Sequence, residues 1–572
     1  MPDDPTPIVV KPSSPAWRGG RRRLLNRWAS FLGAVSPQKT PERLTILPLD
    51  PWPGDAAAGA RLARDVESWA AFWDSDDAAT DSPSASVHEF GWLRDLRAIG
   101  GSDARSCAHT LTATWLDKYG RYSPKAADVW RADIMAARLV AWYSQFELFF
   151  APAPDALRRD VLAAIMHQHR HLGWTAGREV EGFSRLVAAK GLLYGAVCLS
   201  DPDAAPDTAS KSKALMDKAL LLLEATLGAL IHEDGGSVDR NPLTQLALVQ
   251  HLTDIRATVK SSGEAVPKFI TSALRNAAPM IRMMRHGDGR LAHFNGGFES
   301  DPSRIDLALA QANVRSRTPT SAPGAGYERL AVGKYLVLVD TGAPARDHGY
   351  AGAGSFEFSF GRERLVVNCG AAQTTDPDWR RAGRSTGAHS TLSIADTNSS
   401  EIDDHPDTAP RRATVTAERD ESVGAIWLNV AHDGYAKPFG LRHQRRLYLS
   451  ASGEDLRGED ILSATTSRKG GNDAGSSFTI RFHLHPSVTA SLIRDGGAVL
   501  LRTPGGAGWR FRAAGARLML TDSIYLTDAA PKRTQQIVLS GVFDRTAQKA
   551  ESEPAESGDL TVRWSFRREN TR

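Results

Sequence analysis

The spacing of apolar residues changes once along this 572-residue chain. From about Asp55 to His286 they recur at intervals of three and four, as on one face of a helix, for example in Val129–Phe150. From Tyr327 onward they alternate with polar residues, as in short, half-buried strands. The chain is therefore predicted to form a helical part followed by an antiparallel β part.

The chain is too long for one hydrophobic core, and the change of period suggests where its domains meet. We predict a basic tail over residues 1–50, a helical domain over 51–298, a linker over 299–326 and a β domain over 327–572. Short loops between the helices indicate a toroid or an antiparallel array. Many short alternating strands indicate a large antiparallel sandwich. A fold of this kind does not define the chemistry.

Charge and cysteine content exclude several classes of function. The 70 basic and 66 acidic residues give a net charge of +4, which is too small to indicate a nucleic-acid partner. The three cysteines lie far apart, so neither a disulfide framework nor a thiolate zinc site is expected. The sequence has no apolar run of roughly 18 residues, so no transmembrane segment is expected.

The segment Gly19–Val35 is basic and then mildly apolar, which allows two interpretations. One is a basic amphipathic helix or tail, and the other is an export signal. Asn26, Arg27 and Trp28 interrupt the apolar stretch, and no clear small-residue cleavage site follows, which favours the helix or tail.

A polar loop, His232–Pro242, ends in residue types that suit recognition of a carboxylate. Arg240 offers a charged fork of donors and Asn241 a neutral amide donor. The alternative is that this asparagine only caps the next helix, with Pro242 at its first position.

Two further polar segments carry histidines ahead of strands. His348 precedes an alternating strand and is either a general acid or base or a surface histidine in a glycine-rich turn. The segment Trp379–Ser400 contains Arg384 and His389. A serine nucleophile is not expected there, because the G-x-S-x-G turn is missing. We expect the imidazole of His389 to face a cleft.

The order of these segments resembles the heparinase II/III-like family of polysaccharide lyases. The resemblance lies in "HGYAGAGSFEF", "RLVVNCG" and "RSTGAHSTLSIADTNSS", supported by "HEFGWLRDLRA", "HGDGRLAHFNGG" and "HDGYAKPFGLRHQRRLYL". It covers most of Pro51–Trp564. It implies an incomplete (α/α) toroid followed by an antiparallel β-sandwich, with the substrate in a cleft between the two domains.

The implied chemistry is β-elimination at a uronic acid of an acidic polysaccharide or oligosaccharide, for example one similar to a glycosaminoglycan. Such an enzyme must neutralise the uronate carboxylate, remove the proton from C5 and protonate the leaving oxygen on C4. The resemblance implies that Asn241 neutralises the carboxylate and that His348 has an acid/base role. His389 matches a histidine that enters a metal or structural site in some members. No cofactor is expected.

The sequence departs from the family pattern in ways that bear on metal binding and on catalysis. Tyr350, Gly352 and Asn368 replace a histidine and two aspartates, so a bound zinc is not expected. The catalytic tyrosine expected late in the toroid is missing, and His293 and Asn295 lie near its place. We predict that Tyr350 supplies the phenol.

Three hypotheses of function follow. The first is a lyase with Asn241, His348, Tyr350 and His389 as catalytic residues. Its substrate-binding residues are expected to be Arg240, His293, Asn295 and Arg384. The second is a carbohydrate-binding relative that keeps the fold without catalysis. The third is a hydrolase with paired carboxylates, which no segment indicates.

A polysaccharide substrate implies the cell envelope or periplasm, and the cytoplasm is the alternative. The oligomeric state stays open.

Overall fold

The computed structural model describes most of the chain. The described residues are 22–30, 40–74, 84–200, 206–345, 349–371, 376–402, 411–465, 476–493, 495–527, 531–543 and 559–569.

The first half of the described chain is helical, as predicted. Its helices are α1 (22–30), α2 (Ala56–Arg64), α3 (Val66–Asp74), α4 (Trp92–Ile99), α5 (Gly101–Tyr119), α6 (Ala132–Phe149), α7 (Asp155–Thr175), α8 (Gly182–Cys198), α9 (Pro206–Leu230), α10 (Pro242–Ser261), α11 (Lys268–Met283) and α12 (Pro302–Ala312). None of these described helices is both long and apolar enough to cross a membrane.

The second half consists of antiparallel strands with two short helices. The strands are β1 (Ser321–Ala322), β2 (Tyr327–Val332), β3 (Tyr335–Asp340), β4 (Phe356–Phe360), β5 (Glu363–Val367), β6 (Leu392–Ile394), β7 (Val415–Ser422), β8 (Ala425–His432), β9 (Leu441–Leu449), β10 (Asp455–Ala464), β11 (Ser476–Leu484), β12 (Thr489–Ile493), β13 (Ala498–Arg502), β14 (Gly508–Ala514), β15 (Arg517–Tyr525), β16 (Lys532–Phe543) and β17 (Leu560–Glu569). The helices are α13 (Pro377–Arg384) and α14 (Ala436–Phe439).

The described strands form two sheets that share an apolar core. One has the order β1-β2-β3-β4-β5-β11-β16-β15, with β6 beside β11, and the other has the order β12-β13-β14-β17-β10-β9-β8-β7. Alternation fixes which face of each strand is buried. In β9, for example, every second residue from Leu441 to Leu449 is buried. The core between the sheets includes Phe358, Phe482 and Trp509.

The described chain divides into two compact units. The first contains residues 1–231, 247–275 and 311–313, and the second contains 232–246, 276–310 and 314–572. The loop His232–Pro242 and the segment around Asn295 therefore belong to the same unit as the sheets. The predicted linker, 299–326, contains helix α12 and strand β1.

The basic N-terminal segment contributes a helix, α1, to the first unit. Asn26 on this helix is fully buried. Its amide donates to Glu179 at 3.0 Å, and its oxygen pairs with His171 at 2.6 Å. The polar residue that interrupts the apolar stretch is thus an anchor for the helix.

Candidate functional site

Asn241 lies immediately before α10 and caps it. Its Oδ1 accepts a hydrogen bond from the backbone N–H of Leu243 at 2.8 Å, and Pro242 occupies the first helical position. The capping interpretation is therefore correct. It does not exclude carboxylate recognition, because the cap uses only the amide oxygen. Nδ2 has no acceptor in the part of the chain that the structure describes, so its two N–H donors stay available.

Arg240, the preceding residue, has a different environment. Its backbone is left-handed, with a φ of 63°. The guanidinium pairs with the buried carboxylate of Asp340 and donates to the carbonyls of Ala325, Gly326 and Ala343. Four of its five donors are thus used within the protein. These contacts favour a structural role over the predicted binding of substrate.

Gly296 marks the point where two candidate groups converge. A Cβ built on this residue would lie 2.8 Å from Nδ2 of Asn241 and 3.0 Å from the hydroxyl of Tyr350. The residue has a φ of 95°, which strongly favours glycine. The backbone therefore leaves an amide donor and a phenol facing the same small space. Both side chains are partly exposed.

His389 extends this group on the far side of Tyr350. The two rings meet edge to face at 6.2 Å between centroids. Nδ1 of His389 donates to the carbonyl of Ser385 at 2.7 Å, because a carbonyl can only accept. Nε2 then carries the lone pair, and the described residues provide no partner for it. A Cβ on Gly352 would lie 3.0 Å from Nε2, so glycine keeps that approach open.

The charge states of the two rings suit different tasks. Burial lowers the pKa of His389 below its ordinary value, more than the bond to Ser385 raises it. The imidazole is therefore neutral near pH 7 and can accept a proton. Burial raises the pKa of Tyr350 to about 12, although the charge of Arg384 partly opposes this. The phenol therefore stays protonated and can donate a proton.

Arg384 holds the loop that carries Tyr350. Its Nε donates to the carbonyl of Gly349 at 3.1 Å, and its own carbonyl accepts from the N–H of Ala351 at 2.9 Å. These bonds fix the backbone on both sides of the tyrosine. The structure thus brings together Asn241, Tyr350, His389 and Arg384, which we call the reactive cluster.

The other two predicted binding residues point elsewhere. Asn295 donates to the hydroxyl of Tyr327 at 2.8 Å and to Asp340 at 3.1 Å. His293 stacks on Tyr525 with ring centroids 4.9 Å apart, and burial lowers its pKa to about 3. Both are buried, so their contacts favour structural roles. His348, the leading acid/base prediction, lies outside the described residues.

Sequence patterns did not reveal the support beneath the reactive cluster. Arg445 on β9 is fully buried and forms a bidentate pair with Asp460 on β10. Its Nη1 also donates to the carbonyls of Gly354 at 2.9 Å and Ser390 at 2.8 Å. These residues adjoin the two loops that carry Tyr350 and His389. The available signal was the presence of charged residues on the core-facing side of β9 and β10, where leucines are the commonest residues.

The positions where the family implies metal ligands do not fit a metal ion. Tyr350 and Gly352 offer no ligand of the expected type. The amide oxygen of Asn368 accepts from the N–H of Ser390 at 2.9 Å. Within the described ranges, no group of three or more His, Cys, Asp or Glu side chains is placed to hold a metal. The absence of a cofactor stays a prediction.

Comparison with known proteins defines the class to which this chain belongs. Residues 314–565 match the family model described as heparinase II/III-like, C-terminal. The FtsZ-localized protein C of Caulobacter vibrioides is 31% identical over 522 residues, covering 87% of this chain and 88% of that protein. The chain therefore belongs to the heparinase II/III-like family.

Two solved structures share the fold of this chain. A crystal structure of heparinase III superposes with a TM-score of 0.66 at 13% identity, covering 85% of this chain and 77% of that one. A mutant of the heparan sulfate lyase HepC from Pedobacter heparinus gives 0.63 at 13% identity, covering 97% and 89%. The predicted architecture, an incomplete (α/α) toroid followed by an antiparallel β-sandwich, is thus confirmed.

Proposed function

We propose that this protein is a polysaccharide lyase that cleaves a uronic-acid-containing polysaccharide by β-elimination. The observation that carries the proposal is the reactive cluster. It combines an amide donor and an imidazole lone pair that have no partner among the described residues with a protonated phenol, and the imidazole is neutral near pH 7. These are the three kinds of group that the elimination needs.

Each group has a role that its contacts support. The amide of Asn241 donates to the uronate carboxylate, which lowers the cost of the negative charge that develops when C5 loses its proton. Nε2 of His389 accepts that proton, because Nδ1–H is held by the Ser385 carbonyl. The Tyr350 hydroxyl protonates the leaving oxygen on C4. The electron pair of the C5–H bond forms the new double bond as the bond from C4 to oxygen breaks.

The phenol of Tyr350 also replaces the tyrosine that the family has late in the toroid and that this chain lacks there. Near the expected place, Asn295 and His293 make internal contacts. Gly296 instead leaves room for a hydroxyl that comes from a different loop. His348 remains a second acid/base prediction, and a comparison of its alanine variant with His389→Ala separates the two.

A second candidate is a carbohydrate-binding relative without catalysis. It is favoured by the internal contacts of Arg240, His293 and Asn295, which remove three predicted substrate contacts. The curated relative is named for its localisation with FtsZ, and its name states no activity. By analogy, an association of this chain with FtsZ belongs to this second candidate. Action in the cell envelope or periplasm, with the cytoplasm as the alternative, stays a prediction.

The decisive experiment is ultraviolet absorbance of the 4,5-unsaturated uronate across a panel of acidic polysaccharides, including heparan sulfate, alginate and polygalacturonate. Growth of this band with one polymer establishes elimination and names the substrate class. Binding of a polymer by calorimetry without that band would support the non-catalytic candidate.

Tyr350→Phe tests the acid in the same assay. We expect turnover to fall about 10²–10⁴-fold while stability changes little, because the ring stays and only the hydroxyl is lost. Tyr448→Phe is the matched control, since this tyrosine packs on Trp427 at the outer face of β9. Equal activity of the two variants would exclude the phenol as the acid.

A further inference from the structure

An arginine-rich pocket lies at the opposite end of strand β4 from the reactive cluster. The loop with Tyr350 and Gly352 precedes this strand, whereas Gly361 and Arg362 follow it. Five residues of strand span about 17 Å. The pocket therefore forms a separate site within the second unit.

The pocket has a volume of about 480 Å³ and a cationic lining. Its charged side chains are Arg282, Arg285, Arg329, Arg362, Asp288 and Asp306. Both carboxylates are already paired, Asp306 with Arg285 at 2.7 Å and Asp288 with Arg364 at 3.0 Å. The other three arginines have no carboxylate partner among the described residues.

These three guanidiniums keep donors available. Arg329 uses Nη1 for the carbonyls of Met283 and Arg285, and its Nε and Nη2 have no partner in the described chain. Arg282 donates through Nη2 to Val314 and Ser316, and its Nη1 has no acceptor among the described residues. Guanidinium N–H groups at a pocket wall that have no protein acceptor can be donated to a bound anion.

Arg362, in the turn between β4 and β5, is the third arginine of the pocket without a carboxylate partner among the described residues. It is exposed, and no hydrogen bond or ion pair to another described residue holds it. Three guanidiniums around one pocket suit an oxyanion, since their planar forks bind its oxygens in pairs. A doubly charged anion leaves less cationic charge uncompensated there than a carboxylate does.

We propose that this pocket binds a tetrahedral oxyanion, phosphate or sulfate, either as the free ion or as an ester group on a sugar. The site does not depend on the proposed elimination, because none of its lining residues belongs to the reactive cluster.

The test is titration of the full chain with inorganic phosphate and sulfate at constant ionic strength, followed by calorimetry and thermal unfolding. We expect saturable binding and a higher Tm. Arg362→Ala should weaken phosphate binding roughly tenfold or more. Arg512→Ala is the matched control, because this exposed arginine lies on β14 and does not line the pocket.

A comparison of two ligands distinguishes a sugar ester from the free ion. Tighter binding of glucose 6-phosphate than of inorganic phosphate identifies a sugar ester as the ligand, and equal binding identifies the free ion. Equal phosphate affinity in Arg362→Ala and Arg512→Ala would overturn the proposal. So would an equal rise in Tm with acetate.

Discussion

Two neighbouring polar regions of the second unit differ in how much of their hydrogen-bonding capacity the protein uses. Around Asp340, the side chains of Arg240, Asn295 and Tyr327 bond to one another and to backbone carbonyls. In the reactive cluster, Nδ2 of Asn241 and Nε2 of His389 have no partner among the described residues. The first region holds the fold together, whereas the second is available to a ligand.

This difference separates residues that look equivalent in the sequence. Arg240 and Asn241 are adjacent, and both suit a carboxylate. In the structure, the side chain of Arg240 pairs with Asp340, whereas that of Asn241 faces Gly296. Substitutions on the two sides should therefore affect different quantities: stability in the first region and turnover in the second.

The largest expected effect is on turnover by His389→Ala. Loss of the base should lower kcat about 10²–10⁴-fold, with KM little changed, as measured by the growth of unsaturated-uronate absorbance. His485→Ala is the matched control, since that histidine pairs with Ser487 outside the cluster. Wild-type turnover in His389→Ala would assign the base to another residue, and His348→Ala would be examined next.

Arg240→Ala should lower the free energy of unfolding. Removal of the guanidinium leaves Asp340 buried without its charged partner, which typically costs about 3–5 kcal/mol. Urea unfolding measures this loss. Arg446→Ala, at a half-exposed arginine whose carboxylate partner lies 3.8 Å away, is the control and should cost about 1 kcal/mol or less. A small loss in Arg240→Ala would contradict the structural role.

Asn241 permits a test that separates its two roles. Asn241→Ala should lower the free energy of unfolding by about 1 kcal/mol, because the cap is lost. It should also lower kcat about 10²–10³-fold, because the amide donor is lost. Asn241→Ser keeps a capping oxygen, so it should recover the stability and not the turnover. Recovery of both would leave the residue with a capping role alone.

The smallest expected effect is that of pH on turnover. Burial holds the pKa of His389 below the ordinary 6.5, so the base is already deprotonated at neutral pH. Tyr350, with a pKa of about 12, stays protonated well above neutrality. We therefore expect kcat/KM to fall on the acid side with a midpoint below pH 6.5. A midpoint above pH 6.5 would assign the acid side of the pH profile to a group other than His389.

Much of the fold could be predicted because it depends on short-range pattern. The alternation in β9 and the helical spacing in Val129–Phe150 both appear in the structure, the latter as helix α6. Helix α12, which lies within the predicted linker, shows the limit of reading local pattern. The polar and small residues of this stretch did not indicate a helix. Such a composition still permits a helix that packs through a few buried positions, such as Ile305 and Ala308.

The site was predicted less completely, because residue type does not reveal what a side chain contacts. Asn241, Tyr350, His389 and Arg384 come together, whereas Arg240, His293 and Asn295 turn to internal partners. No local pattern distinguishes the two sets, since their partners lie far away in the chain. Asp340, for example, is 100 residues from Arg240.

The sequence by itself determined the order of a helical part and a β part, the family resemblance and the residue types available for elimination. Apolar periodicity acts over a few residues, so it can be read directly along the chain. The tertiary structure decided which polar groups remain free to meet a substrate. Hydrogen-bond capacity is shared among groups that only folding brings within 3 Å, such as Nε of Arg240 and the carbonyl of Ala325 at 2.8 Å.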